Sequence, residues 1–498
     1  MRMMPSEVLA SMLRRYGIGV HPLEWRVPPI ETYPRVVAFA QTYAGKFVLF
    51  ALFAGLTEYL VGRRGLLMVG AAAAVSLASV HRREAALLGT AVVLALSPGW
   101  FEYRAVYAAT AQQGLSDALR LGVVRAGTLI ACVPLVVSML YLSRRFRDHP
   151  LGRRPVLAQH LLFVLLLALA ASQLLRGISL VLLWSVTAVF AAYFWFLAYA
   201  LIDQRRRESA PILFHLATFH PFFGSTTVPL AKGASNWTSV EAGSAEALAV
   251  TQLKGLKLLA WAVFLRIILR VYQKIVYGKL GVTTLTTAFE RFVTDGISPG
   301  PLGVLSIVAS FFEQLLAMAI WGHIIIATAR LAGYRLLRNT CRPLSSPSIA
   351  EFWNRYFYYF KEVLVNVYFY PTYVRWFKRH PRLRIAFATL MAAGVGNFFF
   401  HFLLENYRVA RYGLWATFDH MQTYAFYCAV LVGGIVLSQL RAPRRKAGGG
   451  WVRRKLVPAL GVMLFYCFLS FFDGPQPHVA LTEHFAFLFE VFGIGRWI

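Results

Sequence analysis

Long apolar runs recur at about 36–61, 65–80, 84–98, 120–142, 156–175 and 177–202, alternating with short basic blocks at 81–83, 144–154 (RRFRDHPLGRR) and 205–207 (RRR). A membrane-crossing helix needs roughly 20 mostly apolar residues, and cytoplasmic loops carry an excess of Lys and Arg. The pattern therefore predicts spans joined by cytoplasmic basic loops, with the N-terminus on the cytoplasmic side. Arg63 and Arg64 fall outside on this path, so the short second and third runs read as a hairpin.

The stretch LFHLATFHPFFGSTTVPLAKG, 213–233, is apolar and aromatic but broken by Pro221, Gly224 and Pro229, so it is not one straight helix. Irregular backbone at membrane depth survives only where protein or a water-filled cavity satisfies its polar groups, which leaves a re-entrant segment or an interfacial loop. Residues 233–250 are polar and read as a surface connection or short amphipathic helix. Helical runs follow at 252–277 and 301–330, the second holding Glu313 and His323, and then a loop at 334–350. Basic residues at 375–384 precede a helix at about 385–405. Runs at 413–440, 456–472 and 479–495 flank a second basic stretch, 441–455. If both basic loops are cytoplasmic, the C-terminus returns to the cytoplasm. The first 34 residues carry Arg14, Arg15, Glu24, Arg26 and several prolines before any long apolar run, unlike a cleavable signal peptide.

Composition supports the membrane class. Of 498 residues, 58% are hydrophobic and 15% charged, with mean hydropathy +0.56, too apolar for a soluble domain of this length. The formal charge of +29 lies mainly in blocks between apolar runs, so membrane orientation accounts for it without a nucleic-acid partner. Cys132, Cys341, Cys428 and Cys467 are scattered with no CxxC pair, which indicates neither a disulfide framework nor a metal site.

Two polar centres stand out. In SSPSIAEFWNRYFYYF, 345–360, Glu351, Asn354 and Arg355 lie among aromatic rings, and Ser348 with Glu351 has the S-x-x-E capping spacing. In GVGNFFFHFLLE, 394–405, His401 is surrounded by Phe and Leu, with Asn397 on its face one turn earlier. An ionisable side chain inside an apolar helix is a functional candidate by default.

From Trp321 to Pro371 the chain resembles the membrane-bound O-acyltransferase (MBOAT) superfamily, in particular the bacterial branch of alginate O-acetylation and teichoic-acid D-alanylation proteins. That branch has a pattern like YSDMAIGLARLLGFRL, then NFxRPYxSxSIxEFWRRWH, then a DYLYIP-like turn. The matching stretches here are WGHIIIATARLAGYRL, NTCRPLSSPSIAEFWNRYF and NVYFYP. Asn339, Arg342, Pro343, Ser346, Ser348, Ile349, Glu351, Phe352, Trp353, Arg355 and Pro371 stand at matching places. About 30 residues later, where the family has a histidine in a GLWHG-like helix, this chain has His401. FHPFFGSTTVPL is similar to the family's FFPxxxxGPI segment. Phe357 stands where the branch usually has a second histidine, while His323 and Asn366 replace aspartates and the glycines flanking the histidine are absent.

The resemblance implies an all-α polytopic fold of roughly 11–13 transmembrane or re-entrant helices around an internal tunnel. Its parts would be an N-terminal segment at 1–34, N-terminal spans at 35–210, a core at 211–410 and C-terminal spans at 411–498. It implies acyl transfer from a thioester to a hydroxyl, with His401 as general base and Asn354 or Tyr356 as donors to the developing oxyanion. Arg342, Trp353, Arg355, Asn397 and His323 would line the substrate path, the arginines pairing with donor phosphates. No bound cofactor is implied. The donor would be acyl-CoA or an acyl group on a carrier protein's phosphopantetheine, the acceptor an extracytoplasmic glycan or a lipid, and the protein's location the plasma (inner) membrane. His401, about 24 Å into its helix, would sit toward the outer leaflet. Other classes to weigh are a transporter or lipid flippase using Glu313, His323 and His401, a glycosyltransferase using Glu102 and Asp117, and a catalytically silent scaffold.

Overall fold

The computed structural model describes residues 29–78, 82–95, 104–150, 152–206, 210–219, 227–441, 452–473 and 480–494. Most of the expected N-terminal segment, residues 220–226 of the FHPFFG stretch, Glu102 and most of the 441–455 loop lie outside them. In chain order, the elements used below are Tyr43–Val61 (α1), Leu119–Arg145 (α2), Gly177–Ala192 (α3), Phe194–Asp203 (α4), Ala245–Gln273 (α5) and Gly303–Leu331 (α6). They continue with Ile349–Tyr356 (α7), Pro381–Leu404 (α8), Gln422–Leu440 (α9), Val457–Ser470 (α10) and Leu481–Val491 (α11).

The described chain is predominantly helical and forms no strand, only an isolated bridge between Glu241 and Tyr334. Among the described residues, five helices, α1, α2, α6, α8 and α9, are long and apolar enough to cross a membrane, and a sixth crossing results if α3 and α4, bent by 61°, are one span. This is a helical membrane protein with multiple passes, and the described residues hold fewer full-length spans than the hydropathy runs suggest. The expected run at 479–495 is an 11-residue helix, α11, about 16 Å long against a bilayer core of about 30 Å. The run at 413–440 divides near Met421 into Leu414–His420 and α9.

Local chemistry starts several of these helices. Thr42 Oγ1 accepts from Gly45 N–H at the head of α1, and Ser244 Oγ from Ala247 N–H at the head of α5. α5 and α6 lie antiparallel, joined at one end by Gln252 Nε2 donating to the Leu331 carbonyl (2.8 Å) and at the other by Tyr272 Oη donating to the Ala309 carbonyl (3.0 Å). Of the two readings of 233–250, the structure has the short helix, Ala234–Val240, after which Glu241 bridges Tyr334 and pairs with the buried Arg83.

Beyond α6 the chain doubles back. Asn339 and Thr340 lie against Gly322, nine residues before the end of α6, where a Cβ would stand 3.1 Å from Asn339 Nδ2; glycine makes this approach possible. Asn339 then ties the returning segment to the start of the helix that follows α7, Tyr358–Leu364: its carbonyl accepts from Tyr358 N–H (3.0 Å) and its Oδ1 from Tyr359 N–H (3.2 Å). Thr340 Oγ1 donates to the Tyr356 carbonyl at 2.8 Å, and Cys341 N–H to the Arg355 carbonyl at 2.7 Å. Residues 339–359 thus build one doubled-back knot of chain.

Two widened helical turns, Val365–Phe369 and Leu390–Gly396, pack side by side. Their π-type hydrogen bonding fits an extra residue into a turn and is frequent near functional sites. Tyr368 of the first crosses Gly396 of the second, where a Cβ would stand 2.5 Å from its ring. The Tyr368 hydroxyl is held 2.7 Å from His160 Nε2.

Candidate active site

His401 lies on the last turns of α8, directly after the widened turn. Its imidazole stacks on Tyr424 of α9, centroids 4.4 Å apart, and meets Tyr427 edge-on at 6.1 Å. Its Nε2 faces Asp473 Oδ1 at 3.7 Å, an ion-pair separation longer than a hydrogen bond. The His401 side chain retains 17% of its surface open. Asp473 follows α10, and desolvation by the surrounding protein raises its carboxyl pKa to about 7, although 37% of its side-chain surface stays accessible. Nothing in sequence spacing links 473 to 401. The one available signal is a lone acid closing an apolar run, SFFDGP, at the mouth of a helix.

The motif helix reaches the same place. Tyr356, at the end of α7, lies within electrostatic reach of Asp473, as do Tyr424, Tyr427 and Cys428. Phe352 stacks on Tyr466 of α10 at 3.8 Å, and Tyr466 Oη donates to the Ile349 carbonyl at 2.8 Å, docking α7 against α10. A row of rings connects the two centres: Trp353 to Phe360 at 5.9 Å, Phe360 to Phe400 at 4.4 Å, and Phe400 to His401 at 5.8 Å.

Asn397, one turn before His401, is 1% exposed, and neither its Nδ2 nor its Oδ1 finds a hydrogen-bond partner. Burying such an amide unpaired costs roughly 1–3 kcal/mol. Trp353 Nε1 is likewise buried and unpartnered.

The remaining sequence-predicted residues are not brought to His401. Asn354 is exposed, its Nδ2 turned to Glu351 at 3.4 Å. Arg355 is committed locally, donating to Glu351 Oε1 and Ser345 Oγ, both at 2.9 Å. Arg342 is exposed and left-handed (φ 51°), with its carbonyl accepting from Ser345 Oγ. Ser348 caps α7 through the Glu351 N–H (3.2 Å), but the Glu351 carboxylate goes to Arg355 rather than completing the capping box. His323 is buried in α6 against the Ala319 carbonyl, in the field of Arg330 and Arg338. Phe357 is half-buried on Phe360. Glu313 is satisfied by Gln273 Nε2 (2.5 Å) and Tyr277 Oη (2.7 Å). Among the described residues, no group of three His, Cys, Asp or Glu side chains could hold a metal ion.

No protein-family model matches the chain, and no curated protein matches it.

Proposed function

We propose that the protein is a membrane-embedded acyltransferase of the MBOAT type, with His401 as general base. It would move an acyl group from a thioester, acyl-CoA or phosphopantetheine-linked, to a hydroxyl of an extracytoplasmic glycan or a lipid. What carries the reading is the pairing of His401 with Asp473, together with the row of rings that joins Trp353 of the EFWNRY motif helix to His401.

With Nε2–H turned to Asp473, Nδ1 keeps the lone pair that accepts a proton. The acceptor hydroxyl oxygen attacks the thioester carbon while its proton passes to Nδ1. The tetrahedral intermediate collapses, the C–S bond breaks, and the imidazolium returns the proton to the leaving thiolate. Asp473 acts as a positioning residue. At about 4 Å, unit charges attract by roughly 4 kcal/mol at an effective dielectric of about 20, which favours the imidazolium formed during transfer. A tunnel between the donor and acceptor faces is part of this proposal.

Mass spectrometry of lipids and surface glycans from cells with and without the gene tests it. An ester present only with the gene supports acyl transfer, and identical ester profiles overturn it.

A further inference from the structure

The proposed chemistry leaves one conspicuous polar group unused. Asn397 shares a helix face with His401, about 5–6 Å away between Cβ atoms, and both ends of its amide are enclosed without a protein partner. Its backbone is held in place from two sides. The preceding Gly396 is crossed by Tyr368, itself fixed by His160, and Phe400 is packed between Trp195 (6.3 Å) and Phe360 (4.4 Å). A rigidly mounted, unpaired amide one turn from a base suits a ligand with a polar atom a few ångströms from the imidazole.

We infer that Asn397 Nδ2 is the hydrogen-bond donor to the acyl carbonyl oxygen of the thioester. This rests on the acyl-transfer reading above. When the acceptor oxygen bonds to the carbonyl carbon, the π electron pair moves onto the carbonyl oxygen, and the Asn397 N–H donates to that oxyanion. When the C–S bond breaks, the pair returns to re-form C=O, and the sulfur leaves as thiolate to be protonated by the imidazolium. At 1% exposure, the amide meets the carbonyl only when the acyl group displaces the side chains packed over it. Asn354, exposed and turned to Glu351, does not occupy this position.

The substitution Asn397→Leu keeps the side-chain shape and removes both polar atoms. Wild type, Asn397→Leu and His401→Ala, each purified in lipid nanodiscs, are compared with radiolabelled acetyl groups presented as acetyl-CoA and as acetyl-phosphopantetheine, and with thermal unfolding. The expected result for Asn397→Leu is a kcat about 10²- to 10³-fold lower with KM for the thioester little changed, and a Tm equal to or above wild type. A structural amide would instead lower Tm and leave kcat of the folded fraction intact. Wild-type kcat in Asn397→Leu while His401→Ala is inactive overturns the carbonyl assignment and spares the base. Transfer by His401→Ala at the wild-type rate, or none by wild type from either thioester, overturns both.

Discussion

The imidazole of His401 stacks on the phenol ring of Tyr424 with planes 28° from parallel, so a residue of α9 sets the tilt of a ring carried by α8. The edge of that ring then points to Asp473 beyond α10. Three separate elements therefore have to be docked before Nε2 and the carboxylate face each other. Helix docking sets the geometry of this pair.

Replacing His401 with alanine removes the proposed base and is expected to slow labelled acyl transfer about 10²- to 10⁴-fold while protein abundance in membranes stays unchanged. Transfer assays on membranes matched by immunoblot measure both. Tyr424→Phe should retain the stack and most of the activity. Tyr424→Ala forfeits roughly 0.5–1.5 kcal/mol of ring contact and should show a correspondingly looser imidazole in activity assays.

Burial raises the Asp473 carboxyl from its ordinary 3.8 to about 7, so acid neutralises it well within the accessible pH range. If the ionised form supports His401, transfer rises with pH through about 7, and one unit below that value only about a tenth of the carboxylate remains. A pH–rate profile measures this. Asp473→Asn should be slower at pH 8 and should lose that rising limb.

Gly396→Val places branched carbon where the Tyr368 ring already lies, and overpacking of this kind costs typically about 1–3 kcal/mol. Thermal unfolding in detergent should show a lowered Tm, and adding Tyr368→Ala should recover part of it, because the clash partner is gone.

Phe357 is half-buried against Phe360 rather than locked in the core, so Phe357→His should leave the fold intact. Size-exclusion chromatography and unfolding temperature close to wild type are the expected result. A collapse in stability would show that this pocket depends on the apolar ring.

The helical, membrane-crossing character is legible in the sequence because hydropathy runs and basic blocks report directly on the bilayer, and Ser348 announces the start of α7 by its position alone. The facing of Asn397 and His401 is legible too, since α8 is regular α-helix from 397 onward. Span counting fails where apolar runs are short, bent or divided, as at α11 and the 61° bend before α4. Asp473 escapes notice because its meeting with His401 is purely tertiary, set by how α8, α9 and α10 dock. Arg342, Arg355 and Asn354 look chemical in a motif, but the side chains of Arg355 and Asn354 turn to Glu351 within α7, and the Arg342 carbonyl accepts from Ser345 Oγ.

The widened turn at Leu390–Gly396 accommodates surplus chain without disturbing the helix on either side. A homologue shorter by one residue there would keep its flanking helices superimposable on these. In an alignment, the resulting gap would fall inside an apparently continuous apolar span, and it would mark the bulge beneath His401 rather than a loop.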